Sequence, residues 1–227
     1  MSVMGRRITA QRQLNAGAPI SHAGGEPGAV GIGVRSIESG ATLILSCAHV
    51  LAPRHLVDGP AGNVIESPLS ERAHPGSNRI GVLGRAVPFE NTNTIDAAIC
   101  LPDAGINVPV GVIDGEAIRG PWRPGPTAGV LAGRSVWRIS ASGERVPGEI
   151  IGVEDHAVDM LDGRPEVSFR SVLHYKSPNK GGDSGSAVID DRTGELMGIH
   201  FAGDGGELSL MCLAFLVFDA LKLEPLG

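Results

Sequence analysis

Short apolar runs separated by turn-forming clusters cover this 227-residue chain. In the first half they fall at residues 28–35, 41–47, 62–65, 80–83, 95–101 and 108–113, with clusters such as Asp58-Gly59-Pro60 and His74-Pro75-Gly76-Ser77-Asn78 between them. Runs of this length bounded by Gly, Pro, Asn and Asp predict β-strands. The first two, joined at Glu38-Ser39-Gly40, predict a hairpin. Beyond Gly120-Pro121-Trp122-Arg123-Pro124-Gly125-Pro126 the style repeats, at 129–131, 135–140, 148–153, 166–169, 187–189, 195–200 and 208–213. Only the end changes period: Leu216, Val217, Ala220, Leu221 and Leu223 stand at helical spacing and predict a short C-terminal helix.

Two runs of about six strands around a central linker predict an all-β fold of two packed β-barrels. The implied boundaries are an N-terminal arm over 1–24, a first barrel over 25–119, a linker over 120–127, a second barrel over 128–213, and a helix and tail over 214–227.

Composition narrows the function. The 33 glycines and 16 prolines favour short elements joined by turns. A net charge of -6, with no basic cluster longer than that around Arg6-Arg7, argues against a nucleic-acid partner. Nothing approaches a run of about 18 apolar residues, so no membrane span is expected. Residues 1–16 carry arginines but no apolar core, so no signal peptide is expected either. Cys47, Cys100 and Cys212 are scattered in apolar surroundings, as reduced, unpaired thiols of a cytoplasmic protein would be. Cys47 and His49 lack a second ligand cluster, so neither a metal nor a cofactor is expected.

Three polar positions interrupt the apolar pattern. His49 follows Leu43-Ile44-Leu45-Ser46-Cys47-Ala48, Asp96 opens Asp96-Ala97-Ala98-Ile99, and Ser184 stands in Gly182-Asp183-Ser184-Gly185-Ser186. A serine hydroxyl is a poor nucleophile until a neighbouring base takes its proton. Histidine suits that role, and a buried aspartate fixes its tautomer. Glycines beside the serine let two amides, those of Gly182 and Ser184, converge on a developing oxyanion. Taken singly, His49 reads more often as a hydrogen-bonded core histidine and Asp96 as a turn or strand-start residue. Their joint order, His, Asp, Ser, points to acyl transfer.

Ser46-Cys47-Ala48-His49, Asp96-Ala97-Ala98-Ile99 and Gly182-Asp183-Ser184-Gly185-Ser186 resemble the three motifs of trypsin-like, chymotrypsin-fold serine proteases over about residues 25–223. The bacterial members without disulfides are most similar. The resemblance implies a chymotrypsin-like pair of six-stranded barrels and a serine endopeptidase with the triad His49, Asp96 and Ser184. The substrate would be a protein or peptide bound as an extended strand. No start resembling Ile-Val-Gly-Gly is present, so Asp183 is expected to have a local hydrogen-bonding role. Constitutive activity, or activation by a protein partner, fits better than a secreted zymogen.

The resemblance also places the pocket for P1, the residue before the cleaved bond, between Pro178-Asn179-Lys180-Gly181 and Gly198-Ile199-His200-Phe201-Ala202-Gly203. Pro178 stands where arginine- and lysine-specific members carry aspartate, so a basic P1 residue is not expected. His200 matches the histidine with which viral 3C-like and glutamyl-specific proteases read P1 glutamine or glutamate; a strand-end structural histidine is the alternative. Asn179 would add a donor, Lys180 a positive charge, Phe201 to Gly203 a strand edge, and Gly203 an open pocket mouth. His174 is a further candidate for the pocket lining, while His22, His55, His74 and His156 read as surface residues. The competing class is a catalytically silent protease-fold module that binds peptides. An esterase elbow is weaker, because strands here do not alternate with helices.

Overall fold

The computed structural model describes residues 12–53, 63–67, 78–90, 92–124, 131–159 and 166–227. The short apolar runs form strands, and the strands curl into two seven-stranded sheets. In the first the order is Gly28–Ala29, Pro19–His22, Val64–Glu66, Arg79–Ala86, Ala98–Pro102, Thr42–Ser46, Ile32–Arg35. Its two end strands are halves of one extended passage. Val30 donates to the Ala18 carbonyl (2.8 Å) and Gly31 to that of Leu45 (2.9 Å), so the chain crosses from one edge to the other and closes a six-membered barrel. Gly31 is required there: a Cβ would collide with the carbonyls of Leu45 and Gly185.

The second sheet runs Arg145–Val158, Ser135–Ile139, Ala187–Asp190, Leu196–Gly203, Leu208–Leu213, Val167–Lys176. The first and last of these pair directly, which closes the second barrel. Thr92–Asn93 of the first half adds parallel to Ser168–Phe169 and ties the barrels together. One apolar cluster crosses the interface, from Ile44 and Leu45 to Phe201 and Cys212. A second, around Trp122, Val136, Leu173 and Tyr175, fills the other side of the C-terminal barrel. The expected C-terminal helix is Ala214–Leu221, with Val217, Phe218 and Leu221 buried.

Three parts differ from the sequence reading. Of the expected arm, the described residues 12–24 pack with the first barrel: Arg12–Gln13 pairs with Ile106–Asn107 in a separate two-stranded sheet, Pro19–His22 is a barrel strand, and Leu14 and Ile20 are buried. His22, read as a surface residue, is buried as well. Of the linker, residues 120–124 are described; Trp122 is buried, and its amide donates to the Leu196 carbonyl at 2.9 Å. Residues 125–127, His55 and His74 lie outside the described residues. Finally, Arg145–Val158 and Val167–Lys176 form a hairpin of 14- and 10-residue strands, far longer than the apolar runs 148–153 and 166–169.

Candidate active site

The strand Thr42–Ser46 ends at Cys47, and His49 stands on the single helical turn Ala48–Leu51 that follows. Ser46 pairs with Ala98, which places Asp96, two residues earlier, beside that turn. Asp96 is fully buried. Its Oδ1 accepts from the amides of Ala48 (2.7 Å) and His49 (3.1 Å), and its Oδ2 lies 2.5 Å from His49 Nδ1. Because a carboxylate only accepts, Nδ1 carries the ring proton and Nε2 is the basic nitrogen. The imidazole is about a quarter exposed, at 26%.

Buried thiols line this pair. The Asp96 amide donates to Cys212 Sγ at 3.1 Å, and the Cys47 thiol donates to the His200 carbonyl at 3.2 Å. Burial, reinforced by the charge of Asp96, pushes both thiols well above the ordinary cysteine value. Donor atoms of Cys47, His49 and Asp96 lie within 4.8 Å of one another. That set does not suit a cation: two members bond each other, and the third is a protonated donor to a carbonyl.

Ser184 arrives from the other barrel and is half-buried. Its carbonyl accepts from the Ala29 amide and the Gly185 amide donates to the His200 carbonyl, both at 2.7 Å. Gly185, at φ 102°, lies against Ser46 and Ala29 so closely that a Cβ would collide with Ser46 Oγ and the Ala29 carbonyl. The serine turn is therefore pinned to the end of the strand that leads to His49. Ser184 Oγ donates to the Phe201 carbonyl at 3.3 Å. Within the turn the amides of Asp183, Gly185 and Ser186 are bonded to carbonyls, whereas those of Gly182 and Ser184 bond no described group. Gly182 adopts φ 92°, a conformation that favours glycine.

Arg138 was not legible as part of this site. It lies on Ser135–Ile139 and is only 1% exposed. Its Nη2 donates to the Pro178 carbonyl (2.6 Å) and to Asp183 Oδ2 (2.9 Å). Asp183 also accepts from the amides of Ala141 (2.9 Å) and Lys180 (3.1 Å). Burial alone would raise the Asp183 carboxyl; the Ala141 amide and the Arg138 charge outweigh it and hold it below the ordinary range. The local role expected of Asp183 thus includes a buried ion pair. The only sequence signal was one charged residue inside an apolar strand.

His200 is 2% exposed, and its Nδ1 lies 2.9 Å from Tyr175 Oη. Burial, then the Arg138 charge, pushes its pKa down to about 3, against a partial upward pull from Asp183. Burial also pushes the Tyr175 phenol up. Tyrosine is therefore the donor, and neutral His200 keeps its proton on Nε2, which bonds no described residue. Phe201 is buried against Phe169, with ring centroids 4.6 Å apart. Leu196–Gly203 pairs with Ala187–Asp190 only as far as Ile199, and one edge of residues 201–203 has no described strand partner.

Pro178 and Lys180 are exposed. Asn179 is not a spare donor: Nδ2 reaches the carbonyls of Leu208 (2.9 Å) and Gly206 (3.2 Å), and Oδ1 accepts from the Gly205 amide (3.0 Å). Gly203 is exposed, and a Cβ there would meet the Asn179 carboxamide. His174 is buried, with its ring 5.1 Å from that of His156 on the long hairpin.

The two closed barrels, the strand order and the terminal helix define the chymotrypsin-like fold. Solved structures with that fold align over nearly the whole chain. Nocardiopsis protease matches at a TM-score of 0.65 and 18% identity, over 95% of this chain and 100% of that one. Thermobifida fusca protease A matches at 0.64 and 16%, over 95% and 100%. A glutamic acid-specific serine protease, described as using a histidine triad in substrate binding, matches at 0.67 and 16%, over 94% and 100%. No protein-family model and no curated protein matches the chain. No described helix is long and apolar enough to cross a membrane.

Proposed function

We propose that this chain is a serine endopeptidase that cleaves a protein or peptide bound as an extended strand. Ser184 Oγ attacks the carbonyl, His49 Nε2 takes the proton and returns it to the leaving amine, and Asp96 holds the imidazole. The amides of Gly182 and Ser184 stabilise the oxyanion. The observation that carries this reading is the convergence of two preassembled parts, the His49–Asp96 pair and the serine turn, at one barrel interface. The open edge at 201–203 fits backbone pairing with the substrate.

His200 is assigned to P1 recognition, with Nε2–H donating to glutamine or glutamate. The glutamic acid-specific neighbour, which also binds substrate through histidine, supports that assignment. Because His200 is neutral, an uncharged carboxamide is accommodated at least as well as a carboxylate, whose burial costs more.

One observation favours a silent peptide-binding module: the Ser184 hydroxyl is engaged by the Phe201 carbonyl. Incubation with a proteome-derived peptide library separates the two. Cleavage at a defined P1 residue by the wild-type chain, absent in Ser184→Ala, supports the endopeptidase. Peptides recovered bound and uncleaved by the wild-type chain support the module.

A further inference from the structure

The long hairpin carries two histidines that the proposed reaction does not use. His156 stands on Arg145–Val158 and His174 on Val167–Lys176, with ring centroids 5.1 Å apart and planes at 73°. His174 is 7% exposed, and its Nε2 is buried with no hydrogen-bond partner. Burial, then the neighbouring His156, holds its pKa below the ordinary histidine value, so the ring is neutral and one nitrogen offers a lone pair. A buried polar atom left unpaired is costly, and a ligand that pairs with it offsets the cost. His156 is only half-buried, so solvent reaches the pair.

The spacing suits a metal ion. An imidazole bound to Zn²⁺ at about 2.0–2.1 Å has its centroid roughly 3.2 Å from the ion, and two such rings at the tetrahedral angle stand about 5 Å apart. Glu154 offers a third donor. The pairs Gly152–His174 and Glu154–Val172 set its exposed side chain on the sheet face of His174, and its charge acts on that ring.

We propose that His156, His174 and Glu154 form a site for one divalent transition-metal ion of the Zn²⁺ type, with water in the remaining position. The Glu154 carboxylate closes on the ion by rotation of its own side chain. Neutral imidazoles select such an ion over Mg²⁺ or Ca²⁺, which prefer oxygen donors. The ion ties the two strands of the hairpin together. His174 pairs with Leu210 and Leu210 with Ala202, so the site lies in the sheet that ends at the open edge 201–203, two strands or roughly 10 Å away. It shares no residue with the proposed catalytic machinery and holds whether or not the chain cleaves peptides.

Calorimetric titration of the chelator-treated full chain with Zn²⁺ tests it. One ion per chain is expected, with no binding of Mg²⁺ under the same conditions. His156→Ala should weaken Zn²⁺ by at least about tenfold, because even an outer partner of a metal ligand is worth about 10–100-fold. Glu154→Gln should weaken it as well. Circular dichroism checks that both variants fold, and His156→Gln, closer in size, replaces the alanine variant if that one does not. His49 belongs with Cys47 and Asp96 to another group of donor atoms, so His49→Ala is titrated alongside and should bind Zn²⁺ unchanged. Co²⁺ in place of Zn²⁺ should give the visible absorption of a tetrahedral ion in the wild-type chain and none in the His156 variant. Absence of Zn²⁺ binding, unchanged affinity in the His156 or Glu154 variant, or loss of binding in His49→Ala overturns the assignment. Failure of the endopeptidase reading would leave each of these results as it is.

Discussion

Replacing Arg138 by methionine tests whether the buried ion pair holds the serine turn. Arg138 and Asp183 are 1% and 2% exposed, so neither charge is hydrated. The substitution keeps most of the stem volume but leaves Asp183 with two backbone donors and no counter-ion. Breaking a buried pair from one side costs about 3–5 kcal/mol. For a chain of this size each kcal/mol lowers the melting temperature by about 2–4 °C, which predicts a fall of about 6–20 °C at neutral pH. Thermal unfolding followed by circular dichroism reads it directly. The pH dependence has a definite sign. The Asp183 carboxyl is held low in the folded chain, so its contribution is present above the ordinary aspartate range and is lost as pH falls through the lowered value. In Arg138→Met the carboxyl titrates higher, and protonation removes the unpaired buried charge. The deficit of the variant should therefore shrink towards about pH 4. A deficit below about 1 kcal/mol at neutral pH, the range of an exposed pair, would refute the reasoning, as would one that does not change with pH.

Three further outcomes follow from the same geometry. Asp96→Asn should leave the fold intact and lower turnover by about 10⁴-fold, because an amide in place of Oδ2 favours the wrong tautomer of His49; steady-state kinetics measures it. Gly185→Ala places a Cβ against Ser46 Oγ and the Ala29 carbonyl at a positive φ, and should cost at least about 1–3 kcal/mol in chemical denaturation. With the His200 pKa near 3, the ratio of P1 glutamine to P1 alanine cleavage should be flat from about pH 5 to 8; a step near neutrality would show that His200 titrates there.

The His49–Asp96 contact was legible because each residue interrupts an apolar run in a local motif, and the two-barrel pattern was legible in the spacing of turns. What long-range pairing decides was not. Pro19–His22 looks polar and loose along the chain, yet becomes a strand because Val64–Glu66 and Gly28–Ala29 flank it. Arg138 and Tyr175 lie on strands distant in sequence, and only the closed second barrel sets them beside Asp183 and His200. Asn179, expected to be a spare donor, instead bonds the loop 205–208. Its side-chain direction depends on a loop some 25 residues later, and no local pattern encodes that.

Whether Ser184 is an activated nucleophile is read by active-site labelling. The wild-type chain is treated with a fluorophosphonate and the modified residue is located by peptide mass spectrometry. A single adduct is expected on Ser184, absent in Ser184→Ala and formed far more slowly in His49→Ala. Absence of an adduct from the folded wild-type chain, or labelling that persists in Ser184→Ala, would contradict it.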